Sequence, residues 1–306
     1  MNLLKFALFT FLLVARPDAP RAATVDGRLD PEYGPPLSVQ ATQTDLGDTP
    51  SNSTPSDSLN VSIGSELDSA FGFVSAGMLH LFFSGNFRSY FGEPLMFPHQ
   101  LQIFVDCAPG GQNRLSSNNP HVGNSLYLAD MTGLKFDSGF SPDYWLACQV
   151  EGSGGPSYSA YYAELPSGGG GSGYLLGRTA GGGTGTLSGG INPFGVRSSI
   201  NQTNRAGVTE GCGAASGANV TTGVEWAIPL AALANASGPI TICALIARLP
   251  AEVSNQVLGP VPSGTCSLGS PSGIDFANIA GQQNFTIDSP VPIQRTSWGR
   301  VKLLYR

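Results

Sequence analysis

The sequence predicts an all-β fold, a two-sheet antiparallel β-sandwich of jelly-roll type with long Gly-rich loops. Three observations carry this. Short runs of β-branched and aromatic residues recur between Gly, Pro and Asn punctuation. No long stretch carries the 3.6-residue apolar period of an amphipathic helix. Gly (41) and Pro (23) are abundant while charged residues are 12% of the chain, against about 25% in an average globular protein. A hydrophobic fraction of 41% still supplies a core.

Taken in order, residues 1–23 read as a signal peptide, with Lys5, an apolar stretch at 6–15 and small residues ending at Ala22-Ala23. The stretch is shorter than the roughly 20 residues that span a bilayer, and Arg16-Pro17-Asp18 stops it. Residues 24–290 are assigned to one β-sandwich domain, since all-β sandwiches reach about 200–250 residues as single units. The domain opens with a turn at Asp26-Gly27, followed by a polar loop at 42–58. Strands are expected at 70–75, 78–84, 100–106, 143–150, 157–165, 196–200, 223–228, 240–247 and 284–287. Residues 168–190 form a Gly-rich insertion, either a flexible loop or thin hairpins anchored by Tyr174, Leu175, Leu176 and Leu187. A short helical turn is expected at 231–235, after Pro229. Residues 291–306 are a basic and aromatic tail. Arg295, Arg300, Lys302 and Arg306 are interleaved there with Trp298, Val301, Leu303, Leu304 and Tyr305. The tail reads either as a final strand or as a recognition tag.

Several function classes are disfavoured. A net charge of −6 argues against nucleic acid, which needs clustered Lys and Arg. Gly-x-Ser-x-Gly, His-Glu-x-x-His and the P-loop do not occur. Residues 168–173 satisfy Gly-x-Gly-x-x-Gly only within a low-complexity run, without the strand–helix context that a nucleotide needs. Glu66 with Asp68, and Asp137 with Asp143, have the composition of a glycosidase acid pair, but turn-forming acids share it. No Cys-x-x-Cys occurs, and the three histidines are far apart. Asp106 and Asp26 are candidate Ca²⁺ ligands through loop oxygens, or acids that simply close turns.

Five cysteines in an exported chain imply disulfides with one thiol left over. Alternation places Cys107 with Leu101, Ile103 and Val105, and Cys148 with Tyr144, Leu146 and Val150. A Cys107–Cys148 bridge inside the sandwich is therefore expected, with two small buried thiols as the alternative. Pairing among Cys212, Cys243 and Cys266 stays open. Alternation also sorts the aromatic residues. Trp226 shares a face with Val224 and Ile228 and belongs to the core. Trp145 shares a mixed polar face with Asp143, Ala147 and Gln149. That makes it a candidate platform for a sugar ring, the alternative being a half-buried structural Trp. Tyr158 and Tyr162 alternate onto one face with Glu164 and complete the candidate set of Trp145, Asp143, Gln149, Tyr158 and Tyr162.

Three motifs carry a resemblance: Val25-Asp26-Gly27-Arg28-Leu29-Asp30, the strand pair at 77–83 and 101–106, and Gly223-Val224-Glu225-Trp226-Ala227-Ile228-Pro229-Leu230. In this order they resemble the carbohydrate-binding module family 9 and DOMON-like β-sandwiches, which implies a jelly roll across roughly residues 24–290. Pro109-Gly110-Gly111-Gln112-Asn113, together with Ser254-Asn255-Gln256 and Thr265-Cys266, resembles a set of uncharacterised secreted bacterial proteins. The ending Trp298-Gly299-x-x-Lys302-x-x-Tyr305-Arg306 is similar to short C-terminal endings of other exported bacterial proteins. Members of the fold bind sugars, haem or nothing known. The expected function is that of a secreted, non-catalytic sandwich that binds an extracellular glycan or a cell-surface partner, without a cofactor or a transmembrane segment. The alternative is a self-assembling subunit of an extracellular matrix or filament, favoured by low charge and a leftover cysteine. Six Asn-x-Ser/Thr sites, at Asn52, Asn60, Asn201, Asn219, Asn235 and Asn284, are glycan acceptors only in a eukaryote.

Overall fold

A computed structural model of the chain describes residues 23–47, 64–88, 99–124, 126–151, 157–181, 184–204 and 211–288. The signal peptide up to residue 22, the polar loop from 48, Asn52, Asn60 and the tail at 291–306 lie outside the described residues.

The described residues form two large antiparallel sheets of five and seven strands and a separate two-stranded pair. Fourteen strands are present: β1 (Ser38–Val39), β2 (Glu66–Ser75), β3 (Met78–Asn86), β4 (Gln100–Asp106), β5 (Gly123–Asn124), β6 (Leu126–Tyr127), β7 (Tyr144–Glu151), β8 (Ser157–Glu164), β9 (Gly173–Thr179), β10 (Arg197–Ile200), β11 (Gly223–Pro229), β12 (Ile240–Arg248), β13 (Glu252–Leu258) and β14 (Phe285–Ile287). The five-stranded sheet runs β1-β2-β3-β11-β10. The seven-stranded sheet runs β13-β12-β4-β7-β8-β9, with β14 paired to the start of β12. All nine expected strands form. The helical turn is a 3-10 turn at Leu230–Leu233. Among the described residues no helix is long and apolar enough to cross a membrane.

Period-2 alternation builds the core between the sheets. Leu79, Leu81 and Phe83 of β3 and Val224, Trp226 and Ile228 of β11 face Leu101, Ile103 and Val105 of β4, Leu146 and Cys148 of β7, and Ile242, Ala244 and Ile246 of β12. The outer faces are covered as well. On the seven-stranded sheet, Phe104, Trp145, Ala147, Tyr161 and Leu245 pack under Leu115, Leu128, Met131, Phe136, Phe140 and Phe276, contributed by the connections after β4 and β13. On the five-stranded sheet, Phe71 and Phe82 pack under Tyr33. The opening segment is held there by Glu225. Its carboxylate accepts hydrogen bonds from Asp26 N (3.0 Å), Gly27 N (3.1 Å) and the Tyr33 hydroxyl (2.9 Å). Burial raises this carboxyl to about 7 against those three opposing hydrogen bonds.

Both long sides of the sandwich are closed, by different means. On one side, segment 185–191 of the Gly-rich insertion lies between the edge strands β9 and β10. Arg178 and Ser188 exchange backbone hydrogen bonds (2.8 and 3.0 Å), Ile191 N donates to Leu175 O, and Ser198 N donates to Gly185 O. The approach needs glycine: a Cβ on Gly177 would lie 2.7 Å from Ser188 N and O, and one on Gly190 would lie 2.4 Å from Leu175 O. On the other side, amide side chains make the closure. Gln256 Oε1 accepts Leu67 N and its Nε2 donates to Thr42 O, while Asn255 Nδ2 donates to Gln43 O and Thr265 O. Gln40 Nε2 returns a bond to Val257 O.

The expected Cys107–Cys148 disulfide is corrected. Cys212 and Cys266 form the disulfide, with Cα atoms 5.0 Å apart, while Cys107, Cys148 and Cys243 are free thiols. Register explains the error. Cys148 lies opposite Leu101, six residues along β4 from Cys107, or about 20 Å at about 3.3 Å per residue. A disulfide needs Cα atoms within about 7 Å.

Candidate functional site

The structure does not bring the five candidate ligand residues together. Trp145 is fully buried in the outer core, and its Nε1 donates to Gln102 Oε1 (2.6 Å). Gln102 passes a bond to Gln100, and Gln100 to Gln149 (3.1 Å), so Gln149 belongs to a buried relay. The exposed-platform reading of Trp145 is thereby corrected; the mixed polar face of β7 is covered by the connections packed over it. Tyr158 points to the other side of the sheet, fully buried, with its hydroxyl 2.5 Å from Ser198 Oγ across the sandwich. Only Asp143 and Tyr162 fall in one neighbourhood.

That neighbourhood is the end of the sandwich where β4 and β8 finish and β7, β9 and β12 begin. Register puts Tyr144 opposite Glu164, and Tyr162 opposite Tyr174. Three tyrosine rings consequently line up across β7, β8 and β9. Tyr144 and Tyr162 have centroids 5.9 Å apart, and Tyr162 stacks on Tyr174 at 5.4 Å. The central ring is buried and its hydroxyl donates to Ala232 O (2.9 Å). The flanking Tyr144 and Tyr174 are half-buried and form, with Cys107, Leu230 and Ala236, the rim where the main core meets solvent. Ile191, whose N–H donates to Leu175 O, and Phe194 are 63% and 40% exposed. Asn192 closes the turn that presents Phe194: its side-chain amide bonds Val196 O and N (2.8 and 2.9 Å).

The rim is acidic. Glu164 accepts Ser172 N (3.2 Å), Asp143 accepts Cys107 N and Ala108 N, and Asp106 accepts Ser141 N (2.7 Å). Burial raises the Asp106 carboxyl and neighbouring Asp143 adds to the effect, opposed by the Ser141 N–H. Burial pushes the Cys107 thiol up to about 12, and the Tyr144 phenol likewise, so both are neutral at physiological pH. Aromatic faces beside carboxylates can hold a sugar: the ring takes the apolar C–H side and the carboxylate accepts hydroxyl hydrogen bonds.

Other candidate chemistry is spent on structure. Asp106 holds Ser141 N, tying the end of β4 to the segment before β7, and Asp26 Oδ1 accepts Arg28 N (3.0 Å), closing a turn. Among the described residues no group of three His, Cys, Asp or Glu side chains is placed to hold a metal. Asp137 Oδ2 accepts Gln283 N and Asn284 Nδ2. Asp68 and Glu66 are nearly buried in β2, and burial raises the Asp68 carboxyl well above the usual range, with Glu66 adding to it. A shallow depression of about 250 Å³ lined by Leu268, Ile274, Asp275 and Ile279 lies on the outer layer. Ligand pockets are usually larger, about 300–1,000 Å³, and Asp275 is already paired with Lys135 at 2.8 Å.

The quoted motifs are scaffolding too. Asp26-Gly27 and Glu225 are hydrogen-bonded partners. Gln112 pairs with Asn119 in both directions, while Asn113 Nδ2 donates to the carbonyls of Phe136, Asp137 and Phe140, knitting the outer layer together. The rim residues Tyr144 and Tyr174 were outside the sequence-derived set; Tyr174 was visible only as an apolar anchor of the glycine run. Scans against protein-family models, curated proteins and solved structures gave no match to this chain.

Proposed function

We propose that the protein is a secreted, non-catalytic β-sandwich that binds an extracellular glycan through the Tyr144–Tyr162–Tyr174 end rim. The observation that carries this reading is the tyrosine row itself, with half-exposed rings at both ends and Glu164 and Asp143 beside them. Export is supported by the leader-like residues 1–23 and by a disulfide, which persists in oxidising compartments. A non-catalytic role is supported by Glu225 and Asp137, whose carboxylates are occupied by backbone donors.

Binding to immobilised polysaccharides and a broad glycan array tests the reading. Tyr144→Ala and Tyr174→Ala should each weaken binding at least about tenfold, or about 1.4 kcal/mol, with the β-rich circular dichroism spectrum retained. Wild-type protein that binds no glycan would remove the reading, and undiminished binding by both variants would move the site elsewhere. A second reading, a subunit of an extracellular matrix or filament, is favoured by the exposed Ile191 and Phe194. Electron microscopy of the purified protein separates it from the first: ordered polymers support assembly, monodisperse particles oppose it.

A further inference from the structure

We propose that the end rim is the docking surface for the chain's own C-terminal segment, residues 289–306. The surface is both aromatic and acidic, with half-buried Tyr144 and Tyr174 beside Glu164, and Asp143 beside Tyr144. The segment is its chemical complement. Its last 12 residues hold 4 of the chain's 15 Lys and Arg and none of its 21 Asp and Glu, together with Trp298, Leu303, Leu304 and Tyr305. The rest of the chain therefore carries 11 basic against 21 acidic residues, a net of −10. Opposite charges on the two surfaces favour encounter, and apolar side chains supply burial once they meet.

The path of the chain delivers the segment to this place. β14 runs antiparallel to β12 and ends with Ile287 opposite Ile240. Ile240 starts β12 at the same end as Asp106 of β4, Tyr144 of β7 and Glu164 of β8. The chain thus leaves the sandwich at the rim. From β14 to β9 there are five strand spacings, about 24 Å across at about 4.8 Å each. The ten residues from Asp288 to Trp298 reach up to about 33 Å when extended, so Trp298 can meet any strand of the rim. A tethered segment also acts at high effective concentration, which favours its own rim over another copy's. The inference uses the same surface as the proposed glycan site but does not depend on sugar binding.

Trp298 reports on docking, because Trp145 and Trp226 are fully buried. The emission lost on Trp298→Phe isolates its signal in the full-length protein. Acrylamide should quench that signal several-fold less efficiently than it quenches a free peptide of residues 289–306. In the Tyr174→Ser/Glu164→Lys variant, quenching should rise to the peptide value while emission from Trp145 and Trp226 stays protected, which verifies the fold. Peptide-like quenching in the wild type, or protection unchanged by the rim variant, would overturn the proposal. Protection that appears only as protein concentration rises would overturn it too, by assigning the contact to a second copy.

Discussion

The two long sides of the sandwich solve one problem in opposite ways. Between β9 and β10 the closure is made by backbone, with segment 185–191 bonded to both edge strands. Between β13 and the segment at 40–46 it is made by side chains, with Gln256, Asn255 and Gln40 reaching backbone groups on the other sheet. The first closure depends on side chains that are missing and the second on polar side chains, with Thr42 and Asp45 adding to the amides. Both cover strand edges that would otherwise accept an added strand.

This contrast can be broken from either side. Gly177→Val places a branched side chain 2.7 Å from Ser188 at φ +144°, and should destabilise the protein by about 3 kcal/mol from overpacking and backbone strain. Gln256→Ala leaves Leu67 N and Thr42 O without the partners they have now, a loss of about 2 kcal/mol. Urea unfolding measures both, and the double variant sharpens the comparison. Closures on separate sides should add within about 0.5 kcal/mol, whereas strong coupling would mean that they form a single unit.

Alternation made the inner core legible, because residues such as Val224, Trp226 and Ile228 repeat every second position and meet one opposing sheet. It misread Trp145 because its rule assigns a mixed face to solvent. The cover over that face comes from irregular connections, where Leu115, Met131, Phe136 and Phe276 follow no period. β13 was missed for a related reason. Ser254, Asn255 and Gln256 look like a polar loop, yet all three are buried and hydrogen-bonded in a strand. The tyrosine row needed cross-strand register, since Tyr144, Tyr162 and Tyr174 come from three strands and no local pattern fixes which residues face each other. The Cys107–Cys148 pairing failed on the same missing information.

The central claim, that the Gly-rich insertion closes the sandwich between β9 and β10, is tested most directly by amide hydrogen exchange. Ser188, Ile191 and Ser198 donate the bonds that join 185–191 to β9 and β10. Their amides should exchange at least about a thousandfold slower than unstructured ones, on the order of 4 kcal/mol of protection, in step with the amides of β8. Exchange at the unprotected rate across 185–191 would contradict the account, leaving β9 and β10 as open edges.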